Sequence, residues 1–400
     1  MVGPEVGLAS GAEGQHPFRV LATSAGFEPG FRGGGPIRSL AATVDTITEK
    51  TELLLITRDR DLGSAGPYPS LSGQWINRGN SQIYYLNVRR PGQWIGLWRR
   101  LHRVRFDLLY VNSLWDPIFT GIPIVAARLG LLRTDGLLLA PRGELAPGAL
   151  SIKGQKKRFF LRTWVWFLRG MKPIWHAASD LEASQIKGVE PLAHIHVAQN
   201  PVSLPAEPLP PMGTEHPVAR FVFIGRISPV KNLHSALEAL AGVSSSLEFD
   251  IYGPIEDSAY WARCQLIMAA LPRQVRAAYR GELLPQQVRA TFSGYDAFVF
   301  PTLGENFGHI IAESLSASCP VICPDTTPWS RILEGGGGVV LHDRSAAALT
   351  DELQRYAART SRDRLRARER AGRTYRTWRS ESLRSNILEQ ARMAAWSSHR

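Results

Sequence analysis

Phe221-Val222-Phe223-Ile224-Gly225-Arg226-Ile227-Ser228-Pro229-Val230-Lys231-Asn232 reads as an apolar strand that ends in Gly-Arg, turns, and restarts as a helix through Leu233, Leu237 and Leu240. Lys231 falls in the first turn of that expected helix. The amides that open a helix lack intrahelical acceptors and its dipole is positive there, so Arg226 and Lys231 beside such an end make a phosphate site. The competing reading is a solvated pair of loop bases. A second strand-to-helix junction follows: Ala297 to Phe300, then Pro301-Thr302-Leu303-Gly304-Glu305-Asn306-Phe307-Gly308-His309-Ile310-Ile311-Ala312-Glu313. Its glycines admit close backbone approach, and the amides of Asn306 to His309 can receive an anion. Glu305 faces the cleft in this reading and Glu313 sits deeper along the same helix, carboxylates suited to sugar or ribose hydroxyls. A helix cap or dipole partner is the plain alternative for either acid.

Around these junctions, strands alternate with helices. Phe18 to Ala22, Leu53 to Thr57, Leu108 to Val111, Leu137 to Ala140 and His196 to Ala198 precede them; Glu248 to Tyr252, Val321 to Cys323 and Val339 to Leu341 complete the second half. Such alternation predicts an α/β protein with parallel, doubly wound sheets. Pro201 to Pro217 carries six prolines in 17 residues, which neither a helix nor a central strand tolerates. The expected organisation is therefore a mobile tail (1–17), an N-terminal Rossmann-like domain (18–203), a linker (204–217), a C-terminal Rossmann-like domain (218–375) and a C-terminal helix (376–400) able to return to the first domain. Ligands of such sheets bind beyond the carboxyl ends of the strands, which here places the site between the domains.

The 400 residues, 44% hydrophobic and 20% charged, are those of a globular chain of two or three domains rather than a disordered or collagen-like one. A net charge of +12, of which +8 lies in residues 1–210, points to an anionic partner near the first half. Cys264, Cys319 and Cys323 are too few for a disulfide framework, which favours a reducing compartment. No uncharged apolar run approaches the roughly 18–20 residues of a membrane span, and the start lacks a secretion-signal pattern, so a cytoplasmic location is expected. Asp59-Arg60-Asp61 has a metal-binding look, but a charged turn after a strand explains it and no metal is expected.

Taken together, Gly225-Arg226…Lys231, Tyr252-Gly253-Pro254, Asp296 to Pro301 and Glu305-Asn306-Phe307-Gly308 with Glu313 resemble the donor-binding half of the family 4 glycosyltransferases of the GT-B fold, and the likeness extends over roughly Phe18 to Trp378. The resemblance implies two Rossmann-like domains facing each other across a cleft, with no cofactor beyond a nucleoside-diphosphate sugar as co-substrate. It assigns Arg226 and Lys231 to the diphosphate, Glu305 and the Asn306–Phe307–Gly308 backbone to the donor sugar, and Glu313 to the ribose. Gly33-Gly34-Gly35-Pro36 looks like the family's first glycine loop, with a plain strand-to-helix turn as the alternative. Pro141-Arg142-Gly143-Glu144 resembles a variant from polysaccharide-assembly members, in which Arg142 stands where many relatives have His. His176, ahead of a Ser179…Glu182 capping pattern, reads as a core or positioning residue more readily than a catalytic one. Ser318 and Gln199-Asn200-Pro201 depart from the family's usual Gly and Pro-Asn-Gly. Retention of anomeric configuration and metal independence are further implications.

Arg89 to Arg105 holds six bases and no acid around Trp94, Leu97 and Trp98; Lys153 to Lys172 holds seven bases and no acid among eight apolar or aromatic residues from Phe159 to Leu168. Bases beside amphipathic aromatics suit an anionic membrane surface, although the aromatics could equally be core beneath a solvated basic face. Nucleic acid is the less favoured partner, since no recognised binding motif accompanies the bases. The expected protein is a retaining hexosyltransferase-type enzyme on the inner face of the cytoplasmic membrane, acting on a lipid-linked or polysaccharide acceptor as in lipopolysaccharide or O-antigen assembly. Its alternatives are a nucleotide-sugar epimerase or hydrolase of the same fold, and a non-catalytic basic membrane- or nucleic-acid-binding protein.

Overall fold

The computed structural model describes residues 16–146, 154–211, 216–382 and 386–397. All but two residues of the tail expected over 1–17 lie outside them. Phe18–Ser24 (β1) is buried between Thr51–Arg58 (β2) and Leu108–Asn112 (β6), both parallel to it. Trp75–Arg78 (β3), Ser81–Leu86 (β4), Leu137–Ala140 (β8), Ile174–Ala177 (β9) and His194–Val197 (β10) extend this into an eight-stranded sheet of order β10-β9-β8-β6-β1-β2-β4-β3. Arg105–Phe106 (β5) and Arg133–Thr134 (β7) form a separate short pair. Only β3 runs antiparallel, joined to β4 by Gly79-Asn80. Helices Gly35–Asp45 (α1), Pro91–Leu101 (α2), Ile122–Arg128 (α3), Gly154–Arg169 (α4) and Asp180–Val189 (α5) connect the strands.

Ala219–Ile224 (β11), Leu247–Tyr252 (β12), Val275–Tyr279 (β13), Ala297–Val299 (β14), Val321–Pro324 (β15) and Gly338–Leu341 (β16) make a second, wholly parallel sheet of order β13-β12-β11-β14-β15-β16. Its helices are Leu233–Ala241 (α6), Ser258–Ala269 (α7), Pro285–Phe292 (α8), His309–Ser316 (α9), Ala346–Ala357 (α10) and Ser361–Ser382 (α11). Near-continuous apolar strands such as Phe221-Val222-Phe223-Ile224 follow from burial on both faces. In each sheet the strand order reverses beside the first strand, between β1 and β6 and between β11 and β14, and the carboxyl ends at those two points face one another. The chain has the GT-B architecture expected of it.

Several expectations change. The 204–217 segment is no free spacer: Leu209 N donates to Ser316 O (2.8 Å), Tyr375 Oη to Pro205 O (2.5 Å) and Arg379 to Leu204 O (3.1 Å), which straps its described part to the second domain. The boundary placed between 375 and 376 falls inside α11, and the return to the first domain comes later, with Ile387–Ser397 (α12). Ile387 and Leu388 enter the core formed by Phe18, Val20, Leu40 and Leu53, and Glu389 accepts from Thr48 N (2.9 Å), Thr48 Oγ1 (2.9 Å) and Thr51 Oγ1 (3.0 Å). Of the two basic, aromatic stretches, Leu97, Leu101, Leu161, Val165 and Leu168 are core while Ile95, Trp98 and Trp166 are exposed, so the core reading holds for part of each. Residue 153 and the side chains of 154–160 and 162 are outside the described residues. Among the described residues no helix is long and apolar enough to cross a membrane.

Candidate active site

A cavity of about 270 Å³ lies between the two domains, walled by residues 31–36 and Arg142 from the first and by Gly225, Arg226, Lys231, Gly253 and residues 305–310 from the second. Each wall follows from local chain chemistry. After β11 the chain does not enter a helix directly: Pro229–Lys231 forms a 3₁₀ turn and Asn232, in the left-handed region at φ 57°, precedes α6. Lys231 therefore stands in the turn ahead of the helix, not in its first turn. Asn232 Nδ2 donates to Pro301 O (3.0 Å) and Leu303 N to Val230 O (3.0 Å), which fastens the Lys231 turn to the Glu305 loop. Lys231 Nζ meets Glu305 Oε2 at 2.6 Å, and both side chains are largely shielded from water. Arg226 lines the cavity, but its guanidinium bonds both carboxylate oxygens of Glu256 at 2.9 Å.

The floor is set by two backbones in contact. A Cβ on Gly253 would lie 1.9 Å from the Gly225 carbonyl oxygen, so only glycine lets the ends of β11 and β12 approach this closely. From the facing domain, Gly34 adopts φ 69° as the last residue before α1, and the loop is held by Asp61, whose Oδ2 accepts from Phe31 N (3.0 Å) and Arg32 N (3.3 Å). Asp59, fully buried, accepts from Arg60 Nε (2.9 Å) and Ser72 Oγ (2.7 Å). The Asp-Arg-Asp turn thus anchors the glycine loop, a role its spacing did not disclose. Among the described residues no group of three or more His, Cys, Asp or Glu could hold a metal.

Arg142, Gly34, Gly35, Asn306, Phe307 and Gly308 all reach the cavity. Arg142, at φ 55°, is held rigidly: its guanidinium donates to Asn112 Oδ1 (2.7 Å), Asn200 Oδ1 and Tyr110 Oη. Glu313 stands elsewhere than expected, whereas His176 occupies the core or positioning place read for it. Glu313 is buried behind the wall, where it pairs with Arg38 of α1, and a ribose could reach it only if Arg38 yields. His176 is walled in, its Nε2 on Ala198 O (2.9 Å) and Nδ1 on Tyr110 Oη (3.3 Å); it supports the tyrosine that supports Arg142 and does not line the cleft cavity. Ser179 Oγ caps α5 as expected, accepting from Glu182 N (3.2 Å), but the Glu182 carboxylate turns to Gly143 N (2.8 Å) and Ala178 N (2.7 Å). Sequence reasoning missed Arg38, Ser39 and His309, which cross the cleft; Ser39 Oγ lies 2.6 Å from His309 Nε2.

His309 and His176 are each pushed down to about 3, by burial first and then by nearby guanidiniums. A histidine kept neutral by folding binds its proton more readily when unfolded, so its contribution to stability falls as pH drops below about 6.5. Glu144, raised to about 7 chiefly by burial, and Glu182 and Glu313, also raised by burial, work in the opposite sense. Substitution isolates the histidine share. In His309→Gln the fall in melting temperature between pH 7 and 5 should be visibly smaller than in the parent chain; an unchanged slope would show that this imidazole is free to titrate.

With the geometry in place, the comparisons can be set beside it. Residues 213–374 match the family Glycosyl transferases group 1. This segment holds Arg226, Lys231, Glu305 and Glu313 and stops short of the glycine loop. O-antigen chain mannosyltransferase B of Escherichia coli is 25% identical over 138 residues, 33% of this chain, and the chain spans about a third (35%) of that relative's length. HepE of Anabaena, solved with UDP and glucose, superposes with a TM-score of 0.70 at 14% identity over 96% of this chain and all of that one. WaaG, a glycosyltransferase involved in lipopolysaccharide biosynthesis, gives 0.60 at 14% identity over 89% of this chain and 95% of its own. At those identities the solved structures establish the GT-B fold, and the group 1 match covers most of its second domain.

Proposed function

We propose that the protein is a glycosyltransferase that moves a sugar from a nucleoside-diphosphate sugar to a lipid-linked or polysaccharide acceptor, with retention and without a metal, at the inner face of a membrane. The observation that carries this reading is the Lys231–Glu305 pair, 2.6 Å apart on a cavity facing a glycine loop. An ammonium takes phosphate oxygens and a carboxylate accepts from sugar hydroxyls. Groups of both kinds side by side mark the place where a sugar–phosphate bond would lie. Charge developing on the departing diphosphate is then met by Lys231, by Arg226 once it releases Glu256, and by the amides around Gly34 and Gly308. Arg142, fixed by three neutral oxygens, offers a cation on the acceptor side. The similar proteins support the substrate class: one is an O-antigen chain mannosyltransferase, one is solved with UDP and glucose. Neither an epimerase or hydrolase nor a non-catalytic adaptor draws support from a particular observation.

The test is a melting panel of nucleoside diphosphates and their sugars. A ligand at 100 times its dissociation constant should stabilise the native state by about 2.7 kcal/mol, a shift of several degrees. One base should stand out, and free sugars should do nothing. If no nucleoside diphosphate raises the melting point, the reading fails.

A further inference from the structure

The sequence left Trp94, Trp98, Trp164 and their neighbours divided between core and membrane surface, and the structure places part of this set around a groove. Between α2, α3 and α4 lies a second cavity of about 750 Å³, within the range of roughly 300–1,000 Å³ that ligand pockets occupy. Ile122, Val125, Ala126 and Leu129 recur at helical spacing along α3 and just beyond it, and they turn this face outward into the groove instead of toward the sheet. Trp98 and Trp164 form the sides, and Leu114 to Pro117 the end. Val125, Leu129 and Leu131 are 39%, 66% and 52% exposed, a run of apolar surface on a domain whose interior has room for such residues. A smaller cavity of about 120 Å³ shares Trp98, Ile122 and Ala126 with it and reaches Leu21 of β1, Ile56 of β2 and Leu86 of β4, so the apolar path runs inward.

Two observations specify the occupant. Leu114 follows Asn112 by two residues, within about 7 Å of chain, and Asn112 holds the Arg142 guanidinium that lines the cleft. Glu144 binds the two segments together, accepting from Ser113 Oγ (2.9 Å) and from Leu114 N. The groove thus ends beside a fixed cation of the active site. Arg99 of α2, Arg103 just beyond it and Arg128 of α3 join no ion pair among the described residues, whereas Arg105 pairs with Asp135. Apolar walls, bases without ion pairs on the helices that form them and the arginine held by Asn112, two residues from Leu114, complement one molecule in both polarity and charge.

We propose that this groove holds the hydrocarbon tail of a single anionic lipid whose phosphate-bearing head reaches Arg142, and that this lipid is the acceptor. The identity of the lipid as acceptor rests on the function proposed above; the binding of a chain does not. A flat membrane contact would use protruding side chains such as Trp166, whereas a concave site selects one extended chain by its length.

Hexadecyl phosphate and butyl phosphate below their micellar concentrations, with 9,10-dibromostearate as a quencher of Trp98, Trp115 and Trp164, test the groove on the whole protein. Saturable binding of hexadecyl phosphate at least 10-fold tighter than butyl phosphate, with quenching by the brominated chain, is expected. Val125→Glu and, separately, Leu131→Glu, both at exposed positions, should weaken it at least 10-fold without lowering the melting temperature. A nucleoside diphosphate should still raise the melting point of both variants, which keeps a failed groove distinct from a failed donor site. Equal affinity for the two phosphates, or binding unaffected by both variants, overturns the proposal. So does a concentration-dependent dimer that either variant dissolves, because the groove would then be covered by protein.

Discussion

Lys231→Ala should lower sugar transfer about 100- to 1,000-fold, the loss typical when one preorganised charge-stabilising donor is removed, with little change in melting temperature. The lysine is held on every side: its turn is fastened to the Glu305 loop through Asn232 and Leu303, its Nζ lies 5.1 Å from the Phe300 ring centroid, and Glu305 fixes its head at 2.6 Å. Removing it takes away a cation and also leaves the Glu305 carboxylate, only about one-fifth exposed, facing the site where diphosphate charge must grow. Both changes raise the barrier. Glu305→Gln keeps an acceptor oxygen and the lysine, so it should cost less than Lys231→Ala, and the double variant should cost less than the product of the two, as coupled neighbours do. Initial rates at saturating donor, with nucleoside-diphosphate binding measured alongside, decide the matter. A wild-type rate in Lys231→Ala would remove the site from this cavity.

Gly253→Ala should be among the most damaging single methyls in the molecule. The added Cβ would meet the carbonyl oxygen and carbon of Gly225 at 1.9 and 2.7 Å, and neither atom belongs to a side chain that could swing away. Gly253 N is tied to Gly281 O at 2.9 Å and Gly225 N to Tyr252 O at 3.0 Å, so separating the two loops breaks hydrogen bonds on both sides. Its φ of 136° adds strain for any residue with a side chain. A loss of about 3 kcal/mol or more is expected, seen in urea or thermal melts, together with loss of nucleoside-diphosphate binding because Gly225 and Gly253 form the floor. A variant that melts and binds like the parent would mean that the loops are farther apart in solution.

What the residues disclosed in advance divides along physical lines. Strands buried on both faces announce themselves by composition, and so Phe221 to Ile224, Leu108 to Val111 and Val321 to Cys323 were legible, as was the glycine-bearing turn that follows the first of them. One edge strand carries no such signal: Val275–Tyr279, in which every position after Val275 is partly or fully exposed, reads as neither strand nor helix. The β3–β4 hairpin had a cue in Gly79-Asn80, a two-residue turn pair between apolar runs, with Gly79 at φ 55°. At the site, Lys231 and Glu305 could be paired because both follow strands of one sheet that lie close in the order. Arg38 with Glu313, and Ser39 with His309, come from different domains and 270 or more residues apart; no local pattern encodes that meeting. Asp61 was set aside as a charged turn because its partners are backbone amides, which every sequence offers equally.

The return of α12 to the first domain bears on how the protein is made. Ile387 and Leu388 complete a core whose other members include Phe18, Val20 and Ala22, so β1 lacks a side of its packing until residues 387 and 388, more than 360 positions later, have been made. The first half must therefore wait, partly uncovered, while the second half, whose core draws on no residue before Ala178, closes on its own. Synthesis order and assembly order run in opposite directions, and a nascent chain stalled near residue 380 would present an unfinished N-terminal lobe beside a finished C-terminal one.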